Sequence, residues 1–112
     1  MTLRQKQSLF VVLVGRLIAR ATTLGYELTF GETYRSPEEA ARLAKLGKGI
    51  KTSLHTQRLA IDLNLFRDGR YLSSTESHRE LGEWWERQHE LCRWGGRFSD
   101  GNHYSLEHQG RQ

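Results

Sequence analysis

Hydrophobic residues near the N-terminus recur with the period of an α-helix. Apolar side chains return at steps of three and four positions, and the series consists of Phe10, Leu13, Leu17, Ala21 and Leu24. This spacing places them along one helix face, while Arg16 and Arg20 fall on another face. Gly25 is a typical helix stop. Because the arginines interrupt the apolar run well short of the about 20 residues that span a bilayer, we exclude a membrane span. We predict an amphipathic first helix of a mature domain, with a signal peptide as the less favoured alternative.

The pattern changes after this helix. The stretch YELTFGETY is rich in β-forming residues and predicts a strand. The following segment, RSPEEAARLAKLG, predicts a second helix, with Ser36 as N-cap, Pro37 at the first position and Glu39 completing a capping box. Gly47 is expected to end it.

Residues 59–66, LAIDLNLF, alternate with the period of a β-strand. One predicted face carries Ile61, Leu63 and Leu65, which suit a core. The other face carries Asp62 between Ala60 and Asn64. A carboxylate in the middle of so regular a strand is accessible to water or to a ligand, and the small Ala60 leaves room beside it.

The C-terminal third mixes short elements. FRDGRY predicts a hairpin turn through Asp68-Gly69. Ser77 and Glu80 suggest a capping box that opens a third helix through about Cys92. WGGRFSDGN is predicted to be a loop, and HYSLEH a short final strand. Without a repeated strand-helix-strand rhythm, the class is α+β, with a small antiparallel sheet packed against about three helices.

The composition excludes few classes of protein. The 112 residues contain no Pro/Gly/Ser-rich linker, so residues 1–112 are expected to form a single domain. The net charge of +4 favours polyanionic partners such as nucleic acid, anionic lipid or an acidic cell wall. With a lone cysteine, Cys92, no internal disulfide can form, and stability must come from packing or from a metal.

Three residues form a candidate metal-binding set. Two imidazoles and one carboxylate are the ligands of many catalytic zinc sites, and His55, Asp62 and His103 supply that combination. Their spacing has no helical regularity, so the pattern alone is a weak signal. Each of the other histidines, His78, His89 and His108, better fits a packing or solvated role.

Three segments together resemble a known enzyme family. SLHTQRLAID resembles the Ser-x-His-x-x-Gly-x-Ala-x-Asp signature of the D-alanyl-D-alanine and L-alanyl-D-glutamate zinc peptidases of peptidoglycan. YRSPEEAARL resembles the family's active-site arginine segment, and WGGRFSDGNHYSLEH resembles its closing motif. The segments occur in the family's order over roughly positions 34–108, and the likeness is greatest to short phage endolysins. Arg58 departs from the pattern, because the signature has glycine there; we expect it to narrow the cleft or to contact an acidic substrate.

The resemblance implies a role for each matching residue. His55, Asp62 and His103 would bind Zn²⁺, with Asp100 as general base. Arg35 would stabilise the developing charge or bind substrate, and Ser53 would contact substrate or support a metal ligand. The implied fold is DD-peptidase/Hedgehog-like, with the zinc site in the cleft. Glu107 stays open as an alternative base, because His103 and Glu107 share a face of a regular strand.

The function implied by the resemblance is zinc-dependent hydrolysis of peptidoglycan stem peptides, as an L-alanyl-D-glutamate endopeptidase in phage-induced host cell lysis. The alternatives are a D-alanyl-D-alanine carboxypeptidase, or a non-catalytic module that contains zinc or binds nucleic acid. No basic helix, aromatic RNA motif or zinc-finger spacing supports nucleic-acid binding. We expect a monomer without stable membrane association. It would reside in the host bacterial cytoplasm and reach the cell wall after another protein permeabilises the membrane.

Overall fold

The computed structural model describes residues 1–112 and contains three α-helices and five β-strands. The helices are α1 (Leu3–Thr23), α2 (Pro37–Lys45) and α3 (Arg79–Glu86). The strands are β1 (Glu27–Phe30), β2 (Ala60–Arg67), β3 (Arg70–Tyr71), β4 (Cys92–Trp94) and β5 (His103–Leu106). They form one antiparallel sheet in the order β1-β2-β5-β4, and the short β3 pairs with the end of β2. The predicted α+β class is confirmed.

Helix α1 packs its apolar stripe into the main core. It begins with a capping box between Thr2 and Gln5, and Phe10, Leu13, Leu17 and Ala21 are buried as predicted. None of the helices combines the length and the apolar character needed to cross a membrane. The burial of these four residues shows that the stripe faces the protein interior.

The alternation of β2 also follows the prediction. Ile61, Leu63 and Leu65 are buried in the core together with α1. On the other face Asp62 is partly accessible, but Ala60 is only 1% exposed, so that part of the face is covered. The hairpin after β2 turns through Asp68 and Gly69, both with positive φ.

Helix α2 begins where the sequence indicates. The Ser36 hydroxyl accepts a hydrogen bond from the Glu39 backbone N–H at 3.0 Å, and Pro37 occupies the first turn. The predicted capping box is incomplete, because the Glu39 carboxylate pairs with Arg42 instead.

The prediction for α3 was wrong at both ends. The Ser77–Glu80 capping box is absent: Ser77 lies in a 3₁₀ turn, Glu76–His78, and the Glu80 carboxylate accepts a hydrogen bond from the Tyr26 hydroxyl at 3.0 Å. The helix ends at Glu86, and Cys92 lies in β4. Pairing of β4 with β5 satisfies the backbone there, so tertiary pairing outweighs the helical pattern. The predicted loop after it begins within β4 and includes a 3₁₀ turn, Gly95–Phe98.

Candidate metal centre

The three predicted metal ligands converge in one cluster. His55 lies in the 3₁₀ turn Leu54–Gln57, and Asp62 and His103 are directly paired across β2 and β5. His55 Nε2 and His103 Nδ1 each lie 3.3 Å from Asp62 Oδ1. The three ligand atoms are all within 4.8 Å of one another. Strand register therefore positions two ligands, and the turn before β2 positions the third.

Backbone contacts fix the orientation of His55. The Ser53 hydroxyl accepts a hydrogen bond from the His55 backbone N–H at 3.2 Å and caps the 3₁₀ turn. The Thr33 carbonyl lies 2.9 Å from His55 Nδ1, and a carbonyl can only accept, so this nitrogen carries the proton. The lone pair of Nε2 is then directed at the cluster, which is the usual arrangement of a metal-binding histidine.

The charges of the cluster suit a cation. Burial opposes ionisation of Asp62, but the neighbouring His103 and His55 outweigh it and lower its pKa to about 2. Burial likewise disfavours charged His55, but Asp62 and the Thr33 carbonyl raise the pKa of this histidine. The cluster thus keeps an ionised carboxylate beside the two imidazoles, and negative charge at that position favours a bound cation.

Two of the three separations between the donor atoms agree with a zinc site. Ligands about 2.0–2.2 Å from a tetrahedral ion lie about 3.3–3.6 Å apart. The two nitrogen–oxygen distances of 3.3 Å agree with that spacing. Both histidines are at most 6% exposed, and a set of two nitrogens and one oxygen leaves one tetrahedral position for water or substrate.

Asp100 borders the cluster without belonging to it. Its Oδ2 lies 3.9 Å from His103 Nδ1, and its side chain is 51% exposed. Burial of the carboxyl raises the pKa of Asp100, the charge of His103 opposes this, and the negative charge of Asp62 acts in the same direction as burial. A carboxyl group with a raised pKa beside a metal cluster can both accept and donate a proton.

Arg35 reaches the site from the start of α2. Its backbone N–H donates to the His55 carbonyl at 3.2 Å, and its guanidinium pairs with the Glu32 carboxylate. Glu32 Oε1 also lies 3.8 Å from His55 Nδ1. Glu32 and Thr33 belong to no recognised motif and were missed by the sequence analysis. A backbone bond from Asp62 N–H to the Glu32 carbonyl, 2.8 Å long, holds this segment against β2.

A cleft of about 260 Å³ contains all the predicted site residues. It is lined by His55, Asp62, His103, Asp100, Arg35 and Ser53, and also by Lys48 and Phe98. Two cationic side chains, Arg35 and Lys48, therefore line the same cleft as the two carboxylates of Asp62 and Asp100.

The competing residues lie elsewhere. The Glu107 carboxylate accepts a hydrogen bond from the Gly110 N–H at 2.6 Å and does not line the cleft. His108 Nδ1 lies 3.0 Å from Lys6 Nζ. His89 accepts a hydrogen bond from the Leu91 backbone N–H at 3.0 Å, beyond the end of α3. This geometry favours Asp100 over Glu107 as the carboxylate of the site.

Two further side chains are structural or lie outside the cleft. Burial raises the pKa of the Cys92 thiol to about 12, so it is not a reactive thiolate. Arg58 lies over the Tyr34 ring, 4.1 Å from its centroid, and lines a different cavity. The expectation that Arg58 narrows the cleft was therefore wrong. Its φ of 57° is left-handed, which explains why the family signature has glycine at this position.

Comparison with known protein structures supports the fold described above. No protein-family model matches the sequence, and no curated protein matches it. Among solved structures, the chain is similar to the L-Ala D-Glu endopeptidase ChiX of Serratia marcescens, with a TM-score of 0.68 and 21% identity. The match covers 85% of this chain and 77% of that one. At this identity the comparison establishes a shared fold, and the cleft adds a His-Asp-His cluster that could hold a metal ion.

Proposed function

We propose that the protein is a zinc metallopeptidase that hydrolyses peptidoglycan stem peptides between L-alanine and D-glutamate. The observation that carries this proposal is the convergence of His55, Asp62 and His103 in one cleft with Asp100 and Arg35. The shared fold supports it, because ChiX is described as an L-Ala D-Glu endopeptidase. The resemblance of three sequence segments to the motifs of the zinc peptidase family is a further support.

The residues of the cleft have separate roles in the proposed hydrolysis. His55, Asp62 and His103 would hold the zinc ion, which when bound polarises a carbonyl and lowers the pKa of water towards about 7. Asp100 takes the proton from the attacking water and returns it to the departing amine. Arg35 stabilises the negative charge that develops on the substrate oxygen. Its guanidinium is already held by Glu32, so little reorganisation is needed during the reaction.

We further propose that the enzyme acts as a phage endolysin. In this role it accumulates in the host cytoplasm and reaches the wall after another protein permeabilises the membrane. The likeness of SLHTQRLAIDL to the phage-type motif supports this role. The net charge of +4 supports attraction to an anionic wall.

The decisive experiment is mass analysis of purified peptidoglycan digested with zinc-loaded protein and with chelator-treated protein. New D-glutamate amino termini that require zinc would establish the endopeptidase and its bond together. Loss of terminal D-alanine alone would instead identify a carboxypeptidase. Absence of zinc-dependent cleavage on several wall types would refute the proposal and leave a binding module.

A further inference from the structure

The carboxylate of Glu32 lies behind the candidate metal centre, next to two residues that line the cleft. Its Oε1 pairs with the Arg35 guanidinium and lies 3.8 Å from His55 Nδ1. Glu32 itself does not line the cleft. A carboxylate in such a place can orient the groups that act on a substrate without contacting the substrate itself.

The backbone of Glu32 is fixed against β2. The Asp62 N–H donates to the Glu32 carbonyl and the Gly31 N–H donates to the Asp62 carbonyl, both at 2.8 Å. A Cβ on Gly31 would lie 3.0 Å from the Cβ and from the carbonyl oxygen of Asp62, so the lack of a side chain there permits this close approach. Glu32 therefore extends from a backbone position that is defined relative to the metal cluster.

Arg35 depends on Glu32 for its only ion pair. The Arg35 side chain is 15% exposed, and its Nε is buried without a hydrogen-bond partner. It forms no ion pair with any other carboxylate of the protein. Removing the partner of a mostly buried charge is costly, because the remaining charge is then uncompensated. Glu32 is therefore the group that holds the guanidinium at the edge of the cleft.

The orientation of His55 depends much less on Glu32. The Thr33 carbonyl accepts the hydrogen bond of His55 Nδ1 at 2.9 Å, whereas the Glu32 oxygen, at 3.8 Å, is beyond hydrogen-bonding distance. The Ser53 hydroxyl also accepts a hydrogen bond from the His55 backbone N–H. Because these contacts keep the ring in place, the main influence of Glu32 on the cleft passes through Arg35.

We propose that Glu32 is a positioning residue of the cleft, which holds the Arg35 guanidinium facing the negative charge that develops on the substrate oxygen. This inference rests on the proposed peptidase function and assigns to it a residue outside the recognised motifs. A donor that is held in advance stabilises a developing charge better than a mobile one, because it does not have to reorganise during the reaction.

The kinetic test is a double-mutant cycle between Glu32 and Arg35. Glu32→Gln keeps the size of the side chain but removes its charge, and it should lower kcat about 10–100-fold with little change in KM. In an Arg35→Met background the same replacement should change kcat by less than about twofold, because no guanidinium remains to be held. Additive effects of the two substitutions would overturn the proposal.

Glu38 provides the matched control. It is exposed in the first turn of α2, three residues after Arg35, and forms no ion pair. Glu38→Gln should therefore leave kcat and KM unchanged. Equal losses in Glu32→Gln and Glu38→Gln would indicate a general effect of charge and would contradict a specific contact with Arg35.

Zinc affinity separates the two neighbours of Glu32. Measured by competition with a chromophoric chelator, the affinity of Glu32→Gln should stay within about threefold of the wild type, because Thr33 and Ser53 still orient His55. A loss of zinc affinity as large as the loss of kcat would mean that Glu32 acts through His55, contrary to the proposal.

NMR of the metal-free protein tests the contact without catalysis. Rotation of the Arg35 guanidinium about its Nε–Cζ bond should be slow in the wild type and at least about tenfold faster in Glu32→Gln, which lacks the charge-assisted bond. Unchanged rotation would overturn the proposal. Failure of the wild type to cleave stem peptides would instead refute the proposed function, and the rotation rates would still decide whether Glu32 holds Arg35.

Discussion

At the scale of single residues, Asp100 is the most informative position of the proposed site. Its carboxyl borders the cluster but is not one of the three grouped ligands. Replacing Asp100→Ala should therefore lower the turnover of a muropeptide substrate by about 10²–10⁴-fold, the usual contribution of a general acid–base group. Zinc content, measured on the same samples by elemental mass spectrometry, should stay close to one ion per chain.

Glu107 provides the control for Asp100. Its carboxylate is engaged with the Gly110 backbone outside the cleft, so Glu107→Gln should retain turnover. An active Asp100→Ala variant together with an inactive Glu107→Gln variant would reverse the assignment of the base.

His78 makes the stability of the protein depend on pH. Its ring is 2% exposed, its Nδ1 lies 2.9 Å from the Tyr104 hydroxyl, and burial lowers its pKa from 6.5 to about 4. Between these values the unfolded chain binds the proton and the folded chain does not, so stability falls as the pH falls from 6.5 towards 4. At pH 5 this loss should be about 2 kcal/mol.

The His78→Gln variant isolates this effect. Urea unfolding of the metal-free proteins at pH 7 and pH 5 would compare it with the wild type, because other titrating groups are common to both. The difference in unfolding free energy between the wild type and His78→Gln should be about 2 kcal/mol smaller at pH 5 than at pH 7. A difference that does not change with pH would contradict a buried neutral histidine.

At the scale of elements, the 3₁₀ turn Gly95–Phe98 determines where Asp100 and His103 lie. A Cβ on Gly95 would be 2.2 Å from the Asp100 carbonyl oxygen and 2.9 Å from His103 Cβ. Since backbone cannot yield as a flexible side chain does, Gly95→Ala should cost about 1–3 kcal/mol of unfolding free energy and weaken zinc binding. Urea unfolding and zinc titration of the variant would measure both effects.

Gly15 is the matched control for Gly95. It is exposed within α1, and a Cβ there meets nothing within 4 Å. Gly15→Ala should therefore stabilise the protein by about 0.5–1 kcal/mol through helix propensity alone, with zinc affinity unchanged. If Gly95→Ala and Gly15→Ala changed the unfolding free energy and the zinc affinity equally, the close approach of Gly95 to the Asp100 backbone would not be needed for stability or zinc binding.

The elements differ in how well the sequence predicts them. The regular patterns of α1 and β2 identify their buried faces, and Ser36 marks the start of α2. The third helix is shorter than its pattern indicates, because β4 gains backbone pairing with β5. The sequence pattern around the third helix contains no information about this pairing, because β5 lies further along the chain.

Local sequence patterns also fail to identify all the residues of the candidate site. The candidate metal set was proposed from its residue types and from a family resemblance, and not from spacing, since His55, Asp62 and His103 follow no local period. Glu32 and Thr33 were missed because they reach His55 only through the alignment of the segment after β1 with β2. Register between strands is a property of the folded sheet, and single-strand alternation does not specify it.

At the scale of the whole molecule, the candidate metal cluster joins parts of the chain that are distant in sequence. The 3₁₀ turn, β2 and β5 each supply one ligand, so the complete set exists only in the folded state. Zinc should therefore stabilise folding, by about 2.7 kcal/mol at a free concentration 100-fold above its dissociation constant. The midpoint of thermal unfolding should rise by roughly 10 °C.

This stabilisation should weaken in mild acid. In the metal-free protein the pKa of His55 is raised: burial opposes the charge, but Asp62 and the Thr33 carbonyl favour it. The charged histidine thus stabilises the metal-free fold below its ordinary pKa of 6.5, and this gain is lost as the pH rises through the folded value. Protons and zinc compete for the same group, so the zinc-induced rise should be largest above that value and decline towards pH 5.

Thermal unfolding with zinc, with calcium and with chelator at pH 7.5 and pH 5 would measure this linkage. Calcium should have little effect, because it prefers six to eight oxygen ligands. His103→Ala should lose the zinc-induced rise whatever its own stability, since the shift is compared within each variant. A rise of equal size in His103→Ala, or one that persists undiminished at pH 5, would place the bound zinc elsewhere on the molecule.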